Sequence, residues 1–155
     1  MKLLVLGGTV FLGRHLVEAA LARGHEVTLF NRGRHNPELF PECEKLRGDR
    51  DGGLDALRGR RWDAVVDTSG QVPRVVRDSA ELLADAVEHY TFVSTLAVYA
   101  DFPAVPGIDE SFPLAAPEDP AAEEVDFRTL GPLKALCERA AEAALPGRVL
   151  AVRAG

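Results

Sequence analysis

The sequence is poor in cysteine and has none of the spacings that would put cysteine to use. Cys43 and Cys137 are the two thiols among 155 residues, with no Cys-x-x-Cys pair. That argues against a disulfide framework or a zinc knuckle and fits a reducing compartment. The four histidines, His15, His25, His35 and His89, show no metal-ligand spacing, so no metal is expected. The N-terminal MKLLVLGG carries one lysine and an apolar stretch too short for a leader or a membrane span. A cytoplasmic protein with no membrane partner is therefore the expectation. There is also no basic excess. The net charge is −6, and phosphate contacts need clustered Lys and Arg, so nucleic acid is not expected as the main partner. The one dense basic run, Arg58, Arg60 and Arg61, reads as a solvated helix end. No repeat recurs at a solenoid period.

With 46% hydrophobic and 27% charged residues over this length, the chain can bury a core as one globular domain spanning residues 1–155. Short apolar runs alternate with longer helical patterns. Lys2 to Leu6 reads as a buried strand, and Phe11, Leu12, Leu16, Val17, Ala20 and Leu21 then recur at helical spacing until Arg23-Gly24. Glu26 to Phe30, Lys45 to Arg47, Asp63 to Asp67, Tyr90 to Ser94 and Arg148 to Val152 read as further strands. Leu54 to Leu57 suggests a short helix. Pro73 opens a helix whose apolar positions run through Val76, Leu83 and Val87, and a long helix is expected over Val125 to Ala144. This alternation predicts an α/β fold: a doubly wound parallel sheet of the Rossmann type, about six strands with helices on both faces. Ala100 to Asp126 breaks the pattern. It holds no Lys or Arg, is interrupted by Pro103, Pro106, Pro113, Pro117 and Pro120, and reads as a long acidic loop.

The sharpest local signal is LGGTVFLGRHL. Gly7, Gly8 and Gly13, with Thr9, Val10, Phe11 and Leu12 between them, join a strand to a helix inside a βαβ unit. Glycine there allows a tight turn and close approach of a pyrophosphate, and the helix N-terminus offers free N–H groups. The expected ligand is a dinucleotide cofactor. The second strand ends in Phe30-Asn31-Arg32-Gly33-Arg34 with no acid to take a ribose 2′-hydroxyl. Arg32 and Arg34 suit a 2′-phosphate, which favours NADP with NAD as the alternative; two solvated arginines are the competing reading.

With these residues the chain resembles the short-chain dehydrogenase/reductase superfamily, and most of all its extended or atypical branch, the NAD-dependent epimerase/dehydratase family. The resemblance runs over the whole chain. GGTVFLG is similar to the family's glycine turn, with Val10 at the middle glycine position. Gly48-Asp49 resembles the pair whose Asp meets the adenine amino group. Asp67-Thr68-Ser69-Gly70 matches the segment lining the middle of the cofactor, and FVSTLAVYA resembles the strand bearing the catalytic Ser or Thr, which places Thr95 there, beside Ser94. The family's Tyr-x-x-x-Lys motif falls on Leu130-Gly131-Pro132-Leu133-Lys134. Lys134 is in place to hold a ribose, whereas Leu130 stands at the tyrosine position and cannot transfer a proton. Leu130 also continues an apolar stripe through Leu133, Cys137, Ala140 and Ala144, and Gly131-Pro132 should loosen the helix start.

The resemblance implies an NAD(P)-binding domain of an epimerase/dehydratase- or reductase-like protein that acts on a sugar nucleotide or another carbonyl compound, Thr95 and Lys134 being the catalytic candidates. Tyr99 or a water would have to replace the missing acid. A non-catalytic NADP-binding regulatory or redox-sensing module is the alternative. An RNA-binding role, suggested by atypical members similar around GGTVFLGR, fits the acidity poorly. Family members usually continue into a substrate domain, expected to be absent from a chain ending at Arg153-Ala154-Gly155. Apolar surface left at the strand ends would then favour a homodimer.

Overall fold

A computed structural model describes residues 1–100, 107–119 and 121–155. Strand β1 (Lys2–Leu6) leads into helix α1 (Phe11–Ala22) and strand β2 (Glu26–Asn31). Strand β3 (Glu44–Arg47), a 3-10 turn (Asp55–Leu57), strand β4 (Ala64–Asp67) and helix α2 (Pro73–Leu83) follow. The chain ends with strand β5 (His89–Thr95), a second 3-10 turn (Leu96–Val98), helix α3 (Leu130–Ala144) and strand β6 (Val149–Ala154). The six strands lie in the order β3-β2-β1-β4-β5-β6, every pairing parallel. This is the doubly wound arrangement expected from the sequence.

The strand pleat sends alternate residues to opposite faces. On one face Leu3, Val5, Val27 and Leu29 pack with Val17 and Ala20 of α1. On the other, Leu4, Leu6, Phe30, Val65, Tyr90 and Phe92 meet Val76, Ala80 and Leu83 of α2 and Cys137, Ala141 and Leu145 of and after α3. Trp62 is buried just before β4 and donates from its indole Nε1 to Thr28 Oγ1 at 3.1 Å, so its polar edge is satisfied. At the far edge of the α1 side, Leu150 and Val152 of β6 stay exposed.

Three elements differ from the sequence reading. Helix α3 starts at Leu130, not Val125, because Asp126 forms a side-chain turn: its Oδ1 accepts from the N–H groups of Arg128 (2.7 Å) and Thr129 (2.8 Å). Pro132 then falls in the first helical turn, where its missing N–H costs nothing, and Gly131-Pro132 begins the helix instead of loosening it. Val87 lies beyond α2, in a turn whose carbonyls at Ala84 and Val87 accept from Arg148 Nη1. The acidic segment is not wholly a loop. Leu114 bridges Tyr99, and Ala100 N–H donates to the Pro113 carbonyl at 2.8 Å. Pro103, Pro106 and Pro120 lie outside the described residues.

Candidate functional site: a cleft at the strand ends

The strand order reverses between β1 and β4, and their C-terminal ends diverge into a crevice. A cleft of about 410 Å³ opens there. Its walls come from four successive strand ends: Gly7 to Val10 after β1, Phe30 to His35 at β2, Gly48 to Asp51 after β3, and Thr68, Ser69, Gln71 and Val72 after β4.

The glycine turn has no room for side chains. Gly7 and Gly8 have φ of +108° and +91°. A Cβ on Gly7 would meet Thr68 Oγ1 at 2.5 Å, and one on Gly8 would meet Leu29 Cδ2 at 2.8 Å. Val10 adopts an extended φ of −128°, and the positive φ passes to its neighbour Phe11 (+26°), which is strained for a side-chain-bearing residue. Helix α1 has no side-chain cap, so the N–H groups of its first turn are left for another acceptor. Asn31 holds this turn to the end of β2. Its Nδ2 donates to the Gly7 carbonyl at 2.9 Å, while its Oδ1 accepts from Gly33 N–H at 2.9 Å and from Arg47.

Arg32, Arg34 and Asp49 line the cleft. Arg32 reaches Asp49 at 3.7 Å in a half-exposed pair, a geometry of small net worth. Arg34 has no ion-pair partner among the described residues. Thr9, Val10, Thr68 and Ser69 are also on the wall, whereas Phe11, Leu12 and Gly13 belong to the helix start behind it.

Three assigned residues sit elsewhere than expected. Asp67 is wholly buried beneath the wall. Its Oδ1 accepts from Arg50 (2.6 Å) and from the N–H groups of Ser69 and Gly70 (3.0 Å each), and its Oδ2 accepts from Tyr90 (2.8 Å). With these acceptor positions filled it shapes the turn instead of facing a ligand. Lys134 is also buried. Its ammonium donates to the carbonyls of Gly70 (2.8 Å) and Val93 and lies 4.2 Å from the centre of the Phe92 ring. Burial lowers its pKa, partly opposed by Asp67. Thr95 ends β5 away from the cleft wall, where its Oγ1 accepts from Ala97 N–H at 3.2 Å. Tyr99, the substitute acid, is buried and lies off the cleft wall; its hydroxyl accepts from Arg153 at 2.8 Å. The sequence reading missed Arg50, which follows the Gly48-Asp49 pair directly, as well as Arg47 and the wall residues Gln71, Val72 and Val75. Among the described residues no group of His, Cys, Asp and Glu is placed to hold a metal, and no helix is long and apolar enough to cross a membrane.

Residues 3–83 match the model of the NAD dependent epimerase/dehydratase family. The chain belongs to this family. The match covers β1 through α2 and thus every wall of the cleft. A chloroplast stem-loop binding protein of 41 kDa from Arabidopsis thaliana is 30% identical over 125 residues, covering 70% of this chain and 33% of that protein. Among solved structures, a UDP-galactose 4-epimerase superimposes with a TM-score of 0.77 at 24% identity, over 99% of this chain and 55% of that one. A human epimerase family protein with NADPH superimposes with a TM-score of 0.67 at 27% identity, over 100% of this chain and 54% of that one. The chain therefore spans about a third to a half of the length of these proteins.

Proposed function

We propose that this family member holds NADP in the cleft at the β1/β4 switch point, as the nucleotide-binding part of a protein acting on a sugar nucleotide or another carbonyl compound. The observation that carries the reading is the side-chain-free turn at Gly7-Gly8, facing an α1 N-terminus that has no cap of its own. Such a turn leaves backbone N–H groups for a pyrophosphate. Asn31, Arg32 and Arg34 would hold the adenosine ribose end and its 2′-phosphate, and Asp49 the adenine. The NADPH in the human relative fits this choice.

When bound, the nicotinamide supplies or accepts a hydride. The chain's own contribution to catalysis is small. Thr95 can donate its hydroxyl proton to a carbonyl oxygen, since its Oγ1 accepts from Ala97 while the O–H stays free to turn. Lys134 braces the Gly70 and Val93 carbonyls from below. Leu130 carries no exchangeable proton, so these residues bind and orient, and binding without turnover is the reading for this chain by itself. The exposed Leu150 and Val152 make self-association its expected behaviour at high concentration, checked by sedimentation.

Calorimetric titration with NADPH and NADH side by side tests the assignment. Tighter binding of NADPH supports the arginine reading, equal binding removes it, and no binding of either removes the cleft assignment. The chloroplast relative motivates a second reading, stem-loop RNA binding. A mobility shift at physiological salt would support it, and the net charge of −6 predicts none.

A further inference from the structure

We propose that Arg50 is the positioning residue of the cleft: it locks the Gly48–Asp51 turn to the Asp67–Gly70 turn and thereby sets the adenine side of the site. The inference rests on the dinucleotide reading above. Strands β3 and β4 are not neighbours in the sheet; β2 and β1 lie between them. The turns that follow them nevertheless share the cleft wall, and Arg50 joins them. Its Nη1 donates to Asp67 Oδ1 at 2.6 Å and to Ser69 Oγ at 3.3 Å, and its Nη2 donates to Ser79 Oγ of α2 at 2.6 Å. One guanidinium thus fixes three elements, and the planar fork is the shape that does so without slack.

A buried ion pair of this kind is a poor way to gain stability, because desolvation offsets the attraction. The Arg50 side chain is 10% exposed and that of Asp67 fully covered, and Arg50 Nε is buried with no hydrogen-bond partner. The pair is better explained by geometry. Asp67 collects the Arg50 guanidinium and the Ser69 and Gly70 N–H groups on one oxygen, with Tyr90 on the other, so the location of Arg50 and the shape of the post-β4 turn are set together. The next residue along holds the same turn from outside, where Asp51 pairs with Arg74 of α2 at 2.8 Å. Asp49, the residue assigned to adenine, lies directly before this doubly anchored stretch.

The test uses the full chain and the variants Arg50→Lys and Ser79→Ala. Ser79 lies outside the cleft wall, and besides meeting Arg50 its Oγ bonds the Val75 and Val76 carbonyls of its own helix. An effect carried by the Arg50 fork is read from faster exchange in the Gly48–Gly53 turn with unchanged exchange in α2, and the variant keeps the question open to an answer should Arg50→Lys fail to fold. Binding of NADPH and of AMP is measured by calorimetry, melting is recorded alongside, and amide exchange is followed across Gly48–Gly53. The expected result is weaker binding of both ligands, by about tenfold for Arg50→Lys and severalfold for Ser79→Ala. Exchange should speed up in that turn and not in β1 or α1. Unchanged AMP and NADPH affinity in a folded variant overturns the proposal while the cleft assignment stands. A purely structural role gives that result together with a lower melting temperature. If the wild-type chain binds neither ligand, the cleft assignment fails and the proposal falls with it.

Discussion

Gly13 faces Gly8 so closely that a Cβ on residue 13 would stand 2.9 Å from the Gly8 Cα. The neighbour is backbone, so it cannot swing aside as a side chain would. Gly13→Ala should therefore push the first turn of α1 away from the glycine turn. The expected cost is about 1–3 kcal/mol of stability, typical of overpacking. Dinucleotide affinity should fall with it, because the N–H groups that would receive the pyrophosphate are on the displaced turn. Thermal melting and calorimetry on the same sample separate the two effects. Unchanged affinity in the folded variant would contradict the placement of the cofactor.

Arg34 lines the cleft beside Asn31 and Gly33 and carries no ion-pair partner among the described residues. Arg34→Ala should weaken NADPH and leave NADH unchanged, since the two ligands differ by the 2′-phosphate. A charge-assisted bond of this kind is worth about 1.5–3 kcal/mol. The difference between the ligands should shrink as salt is added. An equal loss for both would mean that Arg34 acts on the shared ribose or adenine and not on the phosphate.

The pH dependence of stability offers a separate check on Lys134. Its folded pKa is lowered because burial takes the ammonium out of water, an effect larger than the attraction of Asp67. In the unfolded chain lysine titrates near about 10.4. Between the two values the unfolded chain binds more protons than the folded one, so this group's contribution rises with pH across that window and is lowest below it. Cys137 acts in the opposite sense. Burial pushes its thiol up to about 12, so its contribution falls as pH passes the unfolded thiol value of about 8.5. The readout is therefore the difference between wild type and Lys134→Met in denaturant titrations at several pH values. The wild type should gain on the variant as pH rises toward the unfolded lysine value; a difference independent of pH would mean that folding leaves the lysine's proton affinity unchanged.

Periodicity and punctuation made most of the architecture legible. Each strand was located to within a residue or two, and the glycine turn and the arginines at the end of β2 follow from local chemistry alone. Residues whose role depends on a distant partner were not legible. By the family resemblance Asp67 belongs to the segment lining the middle of the cofactor, yet its oxygens are bonded by Arg50 from the turn after β3 and by Tyr90 from β5. Lys134 was read as a ribose ligand, yet its ammonium meets the carbonyls of Gly70 and Val93. The start of α3 was missed because the apolar pattern at Val125 and Phe127 continues that of the helix, while the Asp126 side-chain turn overrides it. Arg50 itself was hidden because its value lies in joining turns of non-adjacent strands.

Trp62 and Thr28 provide a last test, one that does not depend on any ligand. The indole Nε1 donates to Thr28 Oγ1 at 3.1 Å with both residues buried, and the hydroxyl passes its own proton on to Glu44 at 3.3 Å. Thr28→Val keeps the shape and removes the acceptor, leaving the indole N–H buried and unpaired. An orphaned donor of this kind costs about 1–3 kcal/mol. Trp62→Phe removes the donor and leaves a cavity instead, so the two single variants should each be destabilised. The double variant should lose less than their sum, because Thr28→Val no longer strands a donor once the indole is gone. Trp62 is the one tryptophan in the sequence, so its fluorescence follows unfolding in every protein that retains it, and circular dichroism serves for the rest. Strict additivity would show that the bond contributes nothing and that Thr28 is held by the sheet alone.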